Sequence, residues 1–155
     1  MDAYSSSADS EIQAITQYIY HSKTIHNKEI SNALMCIALV EMNHMDTLGE
    51  LIPLLGGKPF YQNSSKNFWM SGNIPYVDKN IIYENESYTE KEEKVRTIQK
   101  LERNIISEIN AINNYKVILD SIKDVYLEKI ILKIISDEQV HKKIFQNILK
   151  QESAL

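Results

Sequence analysis

Two stretches of the chain place a glutamate and then a Glu-x-x-His in the same order and at the same internal spacing, 97 residues apart. Glu11 is followed 30 and 33 residues later by Glu41 and His44, and Glu108 at the same intervals by Glu138 and His141. Carboxylate and imidazole are metal ligands. Four Glu with two His form an oxygen-rich set with nitrogen added, which suits iron or manganese better than a thiolate-seeking metal. Residues three apart share one helical face, so each Glu-x-x-His projects as a unit.

The repeat includes the apolar scaffold. The runs Glu11-Ile12-Gln13-Ala14-Ile15-Thr16-Gln17-Tyr18 and Glu108-Ile109-Asn110-Ala111-Ile112-Asn113-Asn114-Tyr115 agree at five of eight positions. The same offset pairs Ile25 with Ile122, Leu34 with Ile131, Ile37 with Ile134, Leu48 with Phe145 and Leu51 with Ile148. Such self-similarity marks two halves of one symmetric object. Ile37, Ala38, Leu48 and Leu51 bracket Glu41 and His44, and Ile134, Ile135, Phe145 and Ile148 bracket Glu138 and His141, so all six polar groups are expected to face the core. Four buried carboxylates would each cost several kcal/mol if left unpaired. These stripes hold no Lys or Arg, whereas two divalent cations would balance the charge. A lone Glu-x-x-His is ordinarily an exposed pair, and Glu11 alone suits a helix N-terminus. The joint pattern of six residues, equal spacings and matched neighbours points to a di-metal site.

The elements that must position these ligands are four helices. Spacings of three and four residues predict helices over about 9–26, 28–56, 89–122 and 124–151, in a single domain spanning 1–155. Asp9 or Ser10 can cap the first, and Pro53 is expected to kink or fray the end of the second. Two residues lie level on an antiparallel pair only if the turn falls midway between them. The midpoint of Glu11 and Glu41 lies beside Asn27, and that of Glu108 and Glu138 beside Asp124, both turn-forming or capping residues. Each arm of 15 residues is about 22 Å of helix, which puts the ligands near mid-bundle.

Residues 58–88 lack sustained helical period and carry Pro59, Trp69, Gly72 and Pro75. A traverse from pole to pole of ~45 Å takes at least ~14 extended residues. This connection has 31, so the expected fold is all-α: two antiparallel hairpins joined by one long crossover. Trp69 and its neighbours are expected to cover the bundle or form a dimer contact. His26 is placed at an exposed turn, and His21 is open to packing against the crossover.

A net charge of −4, with 25% charged residues and no basic stripe, argues against a nucleic-acid or anionic-membrane surface. The longest apolar run, Ala33 to Val40, is far too short to span a bilayer. The first residues carry no secretion signal, and a cytoplasmic protein is expected. The single cysteine, Cys36, excludes an intramolecular disulfide and an all-thiolate metal site within the chain, and is expected to be a small filler on a buried helix face.

On these paired motifs the sequence resembles the ferritin-like di-iron and di-manganese carboxylate superfamily, across nearly the whole chain outside the crossover. The resemblance implies two Fe or two Mn ions per chain. Glu11 and Glu108 would be terminal or bridging ligands, with Glu41, His44, Glu138 and His141 completing the site. Tyr18 and Tyr115, seven residues after their glutamates, stand where similar proteins set a phenol against a ligand carboxylate; plain core packing is the alternative. Asp137 resembles the aspartate that orients a ligand histidine from the neighbouring hairpin, and its counterpart in the first copy is Val40.

Three relatives are comparable. Rubrerythrin-like peroxidases carry a further glutamate where this chain has Ile105. Bacterioferritin is similar at Met42, the position of its haem-ligating methionine, which leaves haem as a possible cofactor. Manganese-catalase-like proteins keep the paired motifs and accommodate long connections. The implied function is a di-metal oxidoreductase that reacts with peroxide or O2 in oxidative-stress defence, with a separate electron donor where electrons come from outside, acting as a homo-oligomer, a dimer being favoured. The alternatives are ferroxidase and iron storage in a bacterioferritin-like shell, and a metal-stabilised structural or coat-associated protein.

Overall fold

The computed structural model describes residues 2–6, 10–60 and 89–154. Four α-helices dominate: α1 Glu11–Thr24, α2 Lys28–Leu54, α3 Glu90–Ser121 and α4 Val125–Ala154. No β-strand occurs among the described residues.

The helix ends follow local chemistry. Ser10 is extended and α1 begins immediately after it, later than expected; Ile25 is also extended, so it stays in the apolar stripe without being helical. Asn27 caps α2 by accepting from the amides of Glu29 (3.0 Å) and Ile30 (3.3 Å). Thr89 and Glu92 form a reciprocal capping box at the start of α3. The Asp124 carboxylate accepts from the amides of Tyr126 and Leu127 and opens α4. Pro53 is accommodated within α2, which ends at Leu54. Gly56 then takes φ 79°, a left-handed turn that favours glycine, and the Gly57 amide reaches back to the Ile52 carbonyl.

α1 packs on α2 and α3 on α4 as antiparallel hairpins. Contacts between hairpins give their relation. His26, in the α1–α2 turn, meets Glu93 in the first turn of α3, and Lys100 donates to the Thr24 carbonyl, so α3 starts at the pole where α1 ends. α2 runs to the opposite pole. The link between α2 and α3 therefore joins opposite ends of the bundle, which accounts for its length. Residues 61–88, including Trp69 and most of the expected crossover, lie outside the described residues.

Two apolar clusters stack along the bundle and exchange members under the 97-residue offset. One holds Tyr18, Leu34, Ile37, Ala38, Leu101 and Phe145; the other holds their mates Tyr115, Ile131, Ile134, Ile135, Tyr4 and Leu48. Tyr4 is the exception of interest. With 14 residues, α1 is less than half as long as the 32-residue α3, so its partners would lack a neighbour beyond Glu11. The turn Asp2–Ser6 fills that place, burying Tyr4 and tying the Ser5 hydroxyl to the Phe60 carbonyl at 2.7 Å.

Cys36 does not act as core filler: it is exposed. The inward face of α2 is Leu34, Ile37, Ala38 and Glu41, and a residue two positions after Leu34 is rotated about 200° from it. An unbroken apolar run therefore overstated how much of this helix is buried.

Candidate metal centre

Glu11, Glu41, His44, Glu108, Glu138 and His141 converge between the two apolar clusters, each no more than 5% exposed. Their donor atoms form two groups, Glu11, Glu41, His44 and Glu138 on one side and Glu41, Glu108, Glu138 and His141 on the other. The atoms in each group lie within 4.8 Å of one another. Glu41 and Glu138 belong to both.

The sharing is visible atom by atom. Glu41 turns Oε2 to His44 Nδ1 (3.0 Å) and Oε1 to His141 Nδ1 (2.8 Å), while Glu138 turns Oε1 to His44 Nδ1 (3.1 Å) and Oε2 to His141 Nδ1 (3.2 Å). Glu11 Oε2 lies 3.9 Å from His44 Nδ1 and Glu108 Oε2 lies 3.8 Å from His141 Nδ1. The two rings are 6.0 Å apart between centroids. Each Nδ1 has at most one proton to share among these oxygens, so the two imidazoles cannot satisfy all of them, and Glu108 Oε2 is buried without a hydrogen bond. Under-satisfied buried carboxyl oxygens arranged as two overlapping tetrads are what two divalent cations would satisfy, so the donor set fits such ions.

The remaining oxygens of the outer glutamates are held across the pseudo-two-fold axis. The Tyr18 hydroxyl donates to Glu108 Oε1 and the Tyr115 hydroxyl to Glu11 Oε1, each phenol serving the other copy's carboxylate. Burial, reinforced by those carboxylates, pushes both phenols well above their ordinary range, so they remain donors. Asp137 Oδ2 lies 3.3 Å from His44 Nε2, and Lys133 pairs with Oδ1 of the same carboxylate. Met42 is half-buried on α2, one residue beyond Glu41.

Burial and then the Glu41 and Glu138 charges raise the Glu11 carboxyl well above the usual range; burial and then contact with Glu138 do the same for Glu108. Burial disfavours the His44 cation, but bonds to Glu138 and Glu41 outweigh it and push the group up to about 11; His141 rises to about 9 for the same reason. Glu138, although buried, is held well below the carboxylate range by His141 and His44. A bound cation must displace these protons. Metal loading should therefore release about two protons from the imidazoles and further ones from Glu11 and Glu108. A histidine raised on folding stabilises the chain fully below its unfolded pKa, and that stability is lost as pH climbs through the folded value. The melting temperature of metal-free protein should fall as pH rises from about 6.5, with the His141 contribution spent by about 9 and that of His44 by about 11, and a much flatter profile when loaded. Thermal unfolding of both forms from pH 7 to 11 checks this; parallel profiles would contradict it.

Several buried polar residues carried no sign at the level of sequence. Gln17 Nε2 donates to Asn104 Oδ1 (2.9 Å) and Ser107 Oγ (3.1 Å), and His21 Nδ1 lies 2.8 Å from Asn104 Oδ1. Burial pulls His21 down to about 4, so it is neutral at neutral pH. His21 thus packs between α1 and α3. Ser10 and Ser107 line a small cavity against the glutamates. Their signal was present, because the repeat begins one residue earlier than Glu11 and Glu108, as Ser-Glu-Ile-x-Ala-Ile.

A pair of helical hairpins with a duplicated carboxylate and histidine cluster at its centre defines a class of four-helix bundle whose core could hold metal ions. A family model described as a ferritin-like domain matches residues 7–154, and the chain belongs to that family. Among solved structures, two of KatB, a manganese catalase from Anabaena, one described as wild type and one from Anabaena PCC7120, each superpose with a TM-score of 0.72 at 22% identity, covering 93% of this chain. The chain spans 66% of the length of those proteins. No curated protein matches it. No helix among the described residues is long and apolar enough to cross a membrane.

Proposed function

We propose that the protein is a di-metal oxidoreductase that holds two iron or two manganese ions and reacts with peroxide or O2, in defence against oxidative stress. The observation that carries this reading is the sharing of Glu41 and Glu138 between two tetrads of donors. Glu11 and His44 would complete one position, and Glu108 and His141 the other. Two such ions supply paired one-electron changes between the +2 and +3 states, which suits two-electron chemistry on an O–O bond.

The protein's own groups do the positioning. Tyr18 and Tyr115 occupy one oxygen of each outer glutamate and leave the other facing its histidine. Asp137 fixes the His44 ring from behind, where a second copy of the device would need a carboxylate at Val40. Apolar clusters on both sides exclude bulk water. Likeness to a manganese catalase in fold supports peroxide as the oxidant; the proposed working form is a homo-oligomer, with a separate donor protein if peroxide is reduced rather than dismutated.

Elemental analysis with a peroxide-consumption assay, after loading with iron or with manganese, tests the reading. About two ions per chain and consumption well above that of the free ion are expected. Rapid iron(II) oxidation in a 24-subunit shell would favour ferroxidase and storage instead. Background consumption with a metal-raised melting temperature would make the ions structural.

A further inference from the structure

The cavity beside the glutamates measures about 10 Å³, room for roughly one water-sized group. Its wall repeats the duplication, with Ser10 and Ser107, and Ala14 and Ala111, facing it as copy-related pairs. Two features break that symmetry. Ser10 is 1% exposed and its hydroxyl has no hydrogen-bond partner among the described residues. Its copy Ser107 is half-buried and already accepts from Gln17, which also donates to Asn104, itself in contact with His21. The second feature is backbone: α1 begins just after Ser10, whereas α3 runs unbroken through Ser107. The partial positive charge of a helix start therefore lies on the Ser10 side alone. Ser10 also makes no side-chain capping bond, so nothing within its own helix uses the hydroxyl.

A buried hydroxyl without a partner carries a desolvation cost, and the cavity is where this one can be satisfied. We propose that Ser10 donates a hydrogen bond to one oxygen of an anionic ligand of the peroxide class, the single atom that the cavity admits, and so selects one side of a nearly symmetric centre for that ligand. This rests on the di-metal reading above and adds a positioning residue to it.

Azide, an anion that mimics peroxide and would place one terminal nitrogen in the cavity, is the probe. It would be titrated into the oxidised, iron-loaded protein and followed by its visible absorption, with metal content and melting temperature measured for each variant. Ser10→Ala should weaken azide about tenfold, the effect of losing one hydrogen bond to a charged ligand. Ser10→Gly should do the same, and because glycine is a good N-cap this variant separates the lost hydroxyl from any harm to α1. Ser107→Ala should change the affinity less than about twofold. Unchanged affinity in both Ser10 variants, equal weakening in Ser107→Ala, or a wild-type protein that holds two ions but takes up no azide would each overturn the proposal. A wild-type protein that holds no metal would instead remove the reading on which it rests, and this inference with it.

Discussion

Glu138→Ala is expected to empty both metal positions, whereas Glu11→Ala is expected to weaken one. Glu138 contributes an oxygen to each tetrad, one facing His44 and one facing His141, while Glu11 serves only the group around His44. After desalting, Glu138→Ala should hold fewer than about 0.5 ions per chain, against about two in the parent protein. Removing one partner of a buried charged pair also costs about 3–5 kcal/mol. The shape-preserving Glu138→Gln is therefore the companion variant, and it should lose metal while folding more nearly normally. Glu102→Ala, exposed on α3, should keep full occupancy. Equal metal content in Glu138→Ala and Glu102→Ala would refute the ligand assignment.

The second large effect is expected from a residue that touches no metal ligand in sequence. Phe145 is fully buried and its ring lies 5.3 Å from that of Tyr18. Phe145→Ala should destabilise the protein by about 3–5 kcal/mol through lost transfer energy and an unfilled cavity. For a chain of this size that is a fall of roughly 10 °C in melting temperature. Because the Tyr18 hydroxyl donates to Glu108, the loosened ring should also lower affinity at the position completed by Glu108 and His141. Val140→Ala, at a site 52% exposed, should stay within about 0.5 kcal/mol of the parent. A Phe145 variant as stable as Val140→Ala would contradict this account of the core.

The helices and the convergence of six carboxylate and imidazole side chains are legible in the sequence because a repeat constrains geometry twice. Equal arms around Asn27 and Asp124 set Glu11 level with Glu41 and Glu108 level with Glu138, and matched apolar neighbours turned all of them inward. The cross-axis bonds from Tyr18 to Glu108 and from Tyr115 to Glu11 were less accessible, since the spacing put each phenol on its own glutamate's helix without saying which carboxylate it would reach. What stayed hidden is what the two copies do not share. His21, Gln17 and Asn104 meet across more than 80 residues of chain without repeating. Tyr4 takes the place of Leu101 because α1 is short, a fact about a helix start that periodicity does not contain. Cys36 lies on the outer face because helical phase, and not the apolar character of the run, decides which side of α2 a residue takes.

The most direct measurement of the central claim is anomalous diffraction from crystals of the protein loaded with manganese or iron. Two peaks are expected between Glu41 and Glu138, both within bonding distance of each of those carboxylates, one also bonded to Glu11 and His44 Nδ1 and the other to Glu108 and His141 Nδ1. A single peak, or metal bound away from the two shared glutamates, would contradict a di-metal centre built from the duplicated motif.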